Sequence, residues 1–153
     1  MQINVNGKRF IVDEQYRNRN LLDWLRNDLL LTGTKDGCGA GFCGSCSIII
    51  DGNIEKACQL TLSEVAGKAI LTIEGLSEPN GALHPLQQAF IDHGAVQCGY
   101  CIPGMILTAH VFLQKEPSPT REAIRKAISP NLCRCTGYQQ IVDAIEAASE
   151  SYQ

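Results

Sequence analysis

Apolar positions along the first half of the chain recur at two spacings. Gln2 to Val5 alternates polar and apolar residues, and Arg9 to Val12 does so again after Asn6-Gly7, a dipeptide favoured in two-residue hairpin turns. Asn20 can cap a helix in which Leu21, Leu22, Leu25 and Leu29 form one stripe at helical spacing, with Trp24 beside it as a core residue. Cys46 to Ile50 reads as a strand, Asp51-Gly52 as its turn, and Ile54 to Cys58 as the returning strand. Ala69 to Ile73 supplies one more strand, introduced by Gly67-Lys68. One helix set against a mixed sheet is an α+β arrangement.

Ser77 to Gly81 is a run of turn formers, and beyond it the texture becomes helical. Leu83 to Ile91 has helical periodicity with Pro85 in its first turn and Gly94 at its end. Pro103 opens a second helix, whose residues Met105, Ile106, Ala109, Val111, Phe112 and Leu113 leave it largely apolar and therefore buried. Pro117-Ser118-Pro119 interrupts the chain, and Thr120 caps a short helix through Ile128. Thr136-x-x-Gln139 fits a capping box ahead of the stripe Ile141, Ala144, Ile145 and Ala148. The expectation is an α+β domain over residues 1–76 followed by an all-α four-helix bundle over residues 82–153.

With 44% hydrophobic and 19% charged residues, the composition is that of a globular chain. A net charge of −3 argues against nucleic acid as a partner, since phosphate binding shows as a basic patch. No apolar run approaches the roughly 20 residues that span a bilayer, so no membrane partner is expected. The first residues show no basic segment followed by an apolar core and no twin arginine; the expectation is a cytoplasmic protein without a secretory signal. Eight cysteines in that compartment read as metal ligands rather than cystines.

The cysteines fall into two sets. Cys38-Gly-Ala-Gly-Phe-Cys43-Gly-Ser-Cys46, with Cys58 after the next hairpin, has the C-x4-C-x2-C…C spacing of plant-type [2Fe-2S] ligation. Its glycines suit a backbone curved tightly around a small cluster, with N–H groups turned toward sulfur. Cys98-Gly-Tyr-Cys101 lies between the first two predicted helices of the bundle, and Cys133-Arg-Cys135 between the last two. Helix connections meeting at one end would bring these four thiols together as a separate site. On spacing alone, tetrahedral zinc remains open at this second quartet.

Other motifs carry less. Gly39-Ala-Gly41-Phe-Cys-Gly44 matches G-x-G-x-x-G, but it follows a helix and leads into a strand, the reverse of a dinucleotide-binding turn. His84, His93 and His110 are ligand-type residues, yet both cysteine quartets are complete without them. Asp143 and Glu146 fall on the solvent side of the last helix, and no catalytic acid, base or nucleophile stands out.

The two-part pattern G-C-G-A-G-F-C-G-S-C…C and Q-C-G-Y-C-I-P-G-M…N-L-C-R-C-T-G-Y closely resembles the small iron–sulfur subunit of the xanthine dehydrogenase and molybdenum hydroxylase family, across about residues 1 to 150. The resemblance implies a β-grasp ferredoxin-like first domain and a helical second domain, each holding one [2Fe-2S] cluster. It implies Cys38, Cys43, Cys46 and Cys58 as ligands of the cluster facing FAD, and Cys98, Cys101, Cys133 and Cys135 as ligands of the one nearer molybdopterin. Gln97 and Cys135 match positions whose polar groups touch the pterin in such proteins. Partners implied are a molybdopterin-binding large subunit and an FAD-binding medium subunit, in a dimer of heterotrimers that oxidises a purine, N-heteroaromatic or aldehyde substrate. Ile102 and Ser47 depart from the pattern, since threonine is usual at both. A free-standing two-cluster ferredoxin and a zinc-stabilised binding module are the alternatives.

Overall fold

The computed structural model describes residues 1–153. Both predicted hairpins form because their turns take positive φ at both central residues: Asn6 at 50° and Gly7 at 76°, Asp51 at 48° and Gly52 at 81°. This is the type I′ geometry, whose twist matches that of the flanking strands. The first turn joins β1 (Gln2–Val5) to β2 (Lys8–Ile11), and the second joins β3 (Ser47–Ile50) to β4 (Asn53–Lys56). The remaining strand, β5 (Ala69–Leu71), pairs parallel to β1 and antiparallel to β3, giving the order β2-β1-β5-β3-β4. Asp51 Oδ1 accepts from the Ala69 N–H at 3.0 Å, tying the second hairpin to β5.

Helix α1 (Leu21–Asn27) starts where Asn20 Oδ1 accepts from the Asp23 N–H, and it buries Leu21, Leu22, Trp24 and Leu25 against the sheet core of Ile3, Val5, Ile48, Ile50 and Ile70. Trp24 is packed edge-on against Phe10, with ring centroids 5.9 Å apart. The helix is shorter than its stripe, so Leu29 lies beyond it.

The second half forms α2 (Pro85–Asp92), α3 (Ile102–Lys115), α4 (Arg121–Ile128) and α5 (Gln139–Ser149). His84, not a serine or aspartate, caps α2: its Nδ1 accepts from the Leu86 N–H at 3.2 Å, and Gln87 Oε1 accepts from the His84 N–H at 2.9 Å. His110 on α3 is hydrogen-bonded through Nδ1 to the Tyr152 hydroxyl at 2.6 Å and stacks edge-on with His84. Asp143 and Glu146 are ion-paired with Arg121.

Strand β3 is where the halves meet. Side chains alternate along a strand, so Ile48 and Ile50 enter the sheet core while Ile49 joins the helical core, and all four residues of β3 are buried. Helix α3 packs against that outer face, which explains why it is apolar almost all round.

Candidate metal centres

The first four thiols come from three elements. The segment carrying Cys38 and Cys43 is an irregular loop between α1 and β3, with Gly39, Gly41 and Gly44 all at positive φ. Cys46 sits buried just before β3, 2% exposed. Cys58 was expected on a strand; β4 instead ends at Lys56, and Cys58 occupies a 3-10 turn, Ala57–Gln59. The turn angles Cys58 back toward the loop, and its carbonyl accepts from Asn20 Nδ2 at 2.9 Å. The Cys38 thiol neighbours Cys43, and Cys46 neighbours Cys58 and Cys43, so the four form one continuous group.

Cys38 Sγ accepts three backbone N–H groups, from Ala40 at 3.4 Å, Phe42 at 3.3 Å and Cys43 at 3.4 Å. These donors, Ala40 first, hold the thiol down to about 6. Burial pushes Cys46 the other way, up to about 12. A thiolate at Cys46 therefore requires compensating positive charge, which a bound metal supplies.

The second four thiols converge at one end of the bundle. Cys98 lies in the turn after α2, Cys101 immediately precedes α3, and Cys133 and Cys135 lie in the connection from α4 to α5. Cys98 Sγ and Cys135 Sγ are 3.5 Å apart, and Cys101 neighbours Cys133. Burial pushes Cys101 up to about 12. Burial acts upward on Cys133, but the Thr136 hydroxyl and N–H, the Cys135 N–H and the Cys101 thiol together outweigh it and hold Cys133 below the ordinary thiol value. Two irons divide four thiolates between them, and the neighbouring pairs Cys98 with Cys135 and Cys101 with Cys133 suit such a division.

The two quartets adjoin. Gly37, Cys38, Cys43, Ser45, Cys98, Tyr100, Cys101, Leu132, Cys133, Arg134 and Cys135 line one cavity of about 360 Å³. The Leu132 N–H donates to Cys43 O at 2.8 Å, Asn131 Nδ2 to Gly44 O at 3.1 Å, and the Tyr100 hydroxyl to Asp36 O at 2.6 Å. Helix α3 approaches the first loop so closely that a Cβ on Gly104 would lie 2.4 Å from Gly44 O. Gln97 is exposed beside Cys98, and its side chain makes no hydrogen bond within the chain; Cys135 is exposed as well. Ser47 Oγ lies 3.5 Å from Asn131 Nδ2, and Ile102 is buried in the helical core.

No local spacing marks Asn131, Tyr100 or Thr136 for the contacts they make here. Thr136 was expected to cap α5, but α5 begins at Gln139, after Tyr138 at a φ of 70°, and Thr136 turns to Cys133 instead. The signal against the cap was Gly137, a poor residue for the first turn of a helix.

A family model described as "2Fe-2S iron-sulfur cluster binding domain" matches residues 10–91, and one described as "[2Fe-2S] binding domain" matches residues 72–146. The chain is 47% identical to the nicotine 6-hydroxylase small subunit of Paenarthrobacter nicotinovorans, over 95% of this chain and 86% of that one. It is 48% identical to the nicotinate dehydrogenase small FeS subunit of Eubacterium barkeri, over 98% of this chain and 94% of that one. The crystal structure of quinoline 2-oxidoreductase from Pseudomonas putida 86 superposes with a TM-score of 0.92 at 42% identity, covering 99% of this chain and 94% of the matched one.

Proposed function

Because this chain belongs to the family of small iron–sulfur subunits of the molybdenum hydroxylases, we propose that Cys38, Cys43, Cys46 and Cys58 hold one [2Fe-2S] cluster and Cys98, Cys101, Cys133 and Cys135 the other. The clusters supply one-electron transfer. The chain's own residues fix where that transfer happens: thiolates ligate, backbone N–H groups face Cys38, and loop contacts hold the two sites side by side.

The observation that carries this reading is the hydrogen bond from Leu132 N–H to Cys43 O, which joins the loop of one quartet to the residue beside Cys133 in the other. Electrons from substrate oxidised at a molybdopterin on a large partner subunit would enter at the second site and leave from the first toward FAD on a medium subunit. Exposure of Gln97 and Cys135 supports the second site as the pterin side, with Gln97 free to hydrogen-bond a pterin edge. Residues 1–76 and 82–153 would be the two units, a division supported by the two separate buried cores.

The relatives named for nicotine and nicotinate favour an N-heteroaromatic substrate over a purine or an aldehyde. A dimer of heterotrimers in the cytoplasm completes the proposal; no helix here is long and apolar enough to cross a membrane. Anaerobic purification of the chain with its bound partners tests it. About four irons per chain are expected, two for each cluster, with molybdenum and flavin co-eluting and the iron–sulfur colour bleached by nicotinate or a related heterocycle. Zinc in place of iron, or cystines, would overturn the ligand assignment.

A further inference from the structure

The second quartet contains one hydroxyl whose direction is fixed by its surroundings. Thr136 Oγ1 lies 3.1 Å from Cys133 Sγ, and the Thr136 N–H reaches the same sulfur at 3.5 Å. On its other side Thr136 Oγ1 accepts from the Tyr138 N–H at 3.2 Å. Tyr138 presents that N–H because its backbone is left-handed, and its own hydroxyl accepts from the Cys133 N–H at 2.9 Å, which closes a ring around the ligand. The side chain of Thr136 is buried, 9% exposed, so water does not compete for the hydroxyl. A metal-bound thiolate carries no proton and can only accept. The Thr136 O–H must then donate to Cys133 Sγ.

We propose that Thr136 is a positioning residue for electron transfer, raising the reduction potential of the second cluster by donating its hydroxyl and amide hydrogens to Cys133 Sγ. The inference rests on Cys133 being a ligand of that cluster. Reduction adds one electron, and negative charge on the ligand sulfurs increases. A donor aimed at one of them strengthens its bond in the reduced state more than in the oxidised state, which is how hydrogen bonding to sulfur tunes such centres. No bond forms or breaks at Thr136, and its proton stays on oxygen. In the first quartet Cys38 receives three backbone donors, which no side-chain substitution removes, and the side-chain donor is Gln59 Nε2, 3.4 Å from Cys58 Sγ.

The test is potentiometric titration of the assembled complex, following both iron–sulfur centres, in wild type, Thr136→Ala and Thr136→Ser. Thr136→Ala should weaken the one-electron reduction equilibrium of one centre about tenfold, equivalent to about 59 mV downward, and leave the other unmoved. Thr136→Ser, which keeps the hydroxyl, should restore it. Equal potentials in wild type and Thr136→Ala overturn the inference while leaving the cluster assignment standing; a wild-type complex without two reducible iron–sulfur centres overturns the assignment itself. Should Thr136→Ala shed its cluster, wild type decides. Electron–nuclear double resonance of the reduced second centre should show a strongly coupled exchangeable proton that persists in Thr136→Ser, and its absence overturns the inference.

Discussion

The main-chain N–H of Leu132 donates to the carbonyl of Cys43 at 2.8 Å, so the residue next to Cys133 is hydrogen-bonded directly to a cysteine of the other quartet. Asn131, one position earlier, is 2% exposed and repeats the contact through its side chain to Gly44 O. The two cysteine loops thus share a backbone seam.

Cutting the side-chain half of that seam should loosen it. Asn131→Leu removes the donor to Gly44 O and leaves a buried carbonyl with less compensation, at a cost of about 1–3 kcal/mol. Iron release to a chelator should quicken, and the magnetic interaction between the two reduced centres should weaken. An unchanged rate and an unchanged interaction would show that the backbone contact alone holds the seam.

Gly104 gives a prediction whose sign is diagnostic. In an ordinary helix, replacing glycine by alanine adds up to about 1 kcal/mol of stability. Here the new Cβ would sit 2.4 Å from Gly44 O, a backbone atom with little room to retreat. Gly104→Ala should therefore destabilise by about 1–3 kcal/mol, seen as a lower unfolding temperature of the assembled protein. A rise would mean that α3 and the loop are not in contact.

Cys43→Ser separates the two sites functionally. Loss of the first cluster should leave the molybdenum centre and the second cluster reducible by substrate while the flavin stays oxidised. A flavin still reduced at wild-type rate in rapid-mixing absorbance would contradict the proposed order of carriers.

Stability should fall on mild acidification. Burial lowers His84, and burial together with the nearby His84 charge lowers His110, both below their ordinary 6.5. The unfolded chain then takes up these protons before the folded one does. The stability contributed by the neutral rings is complete above about pH 6.5 and is lost as pH falls toward the lowered folded values. His84 cannot be protonated at Nδ1 and still accept from the Leu86 N–H. In His84→Asn, which can still cap α2, the unfolding temperature of the assembled protein should drop less between pH 7.5 and about pH 5.5. An identical drop in both proteins would place the acid sensitivity elsewhere.

Much of this was legible in the linear chain, because the signals were local. Asn6-Gly7 and Asp51-Gly52 dictate their turns through φ preference, Asn20 and Thr120 supply their caps, and Pro85 can only stand in a first turn. The spacing Cys38, Cys43, Cys46 announces a cluster loop because three thiols so close together leave the backbone few other uses. Local rules failed where a neighbouring group of another kind took the role that spacing assigned elsewhere. Thr136 has the spacing of a cap, but Cys133 Sγ claimed its hydroxyl and Tyr138 took the start of α5. His84 looks like a stray imidazole, yet it caps α2.

The sequence by itself determined which residues turn and that Asn20 and Thr120 cap their helices, since each depends on neighbours a few bonds away. Only the tertiary structure decided that Ile49 faces the helices while Ile48 and Ile50 face the sheet core, that Gly104 admits Gly44 O, and that both quartets open on one cavity. Those outcomes come from packing two independently patterned halves against each other. The contacts that packing selects join atoms more than fifty residues apart, a separation over which periodicity and spacing carry no information.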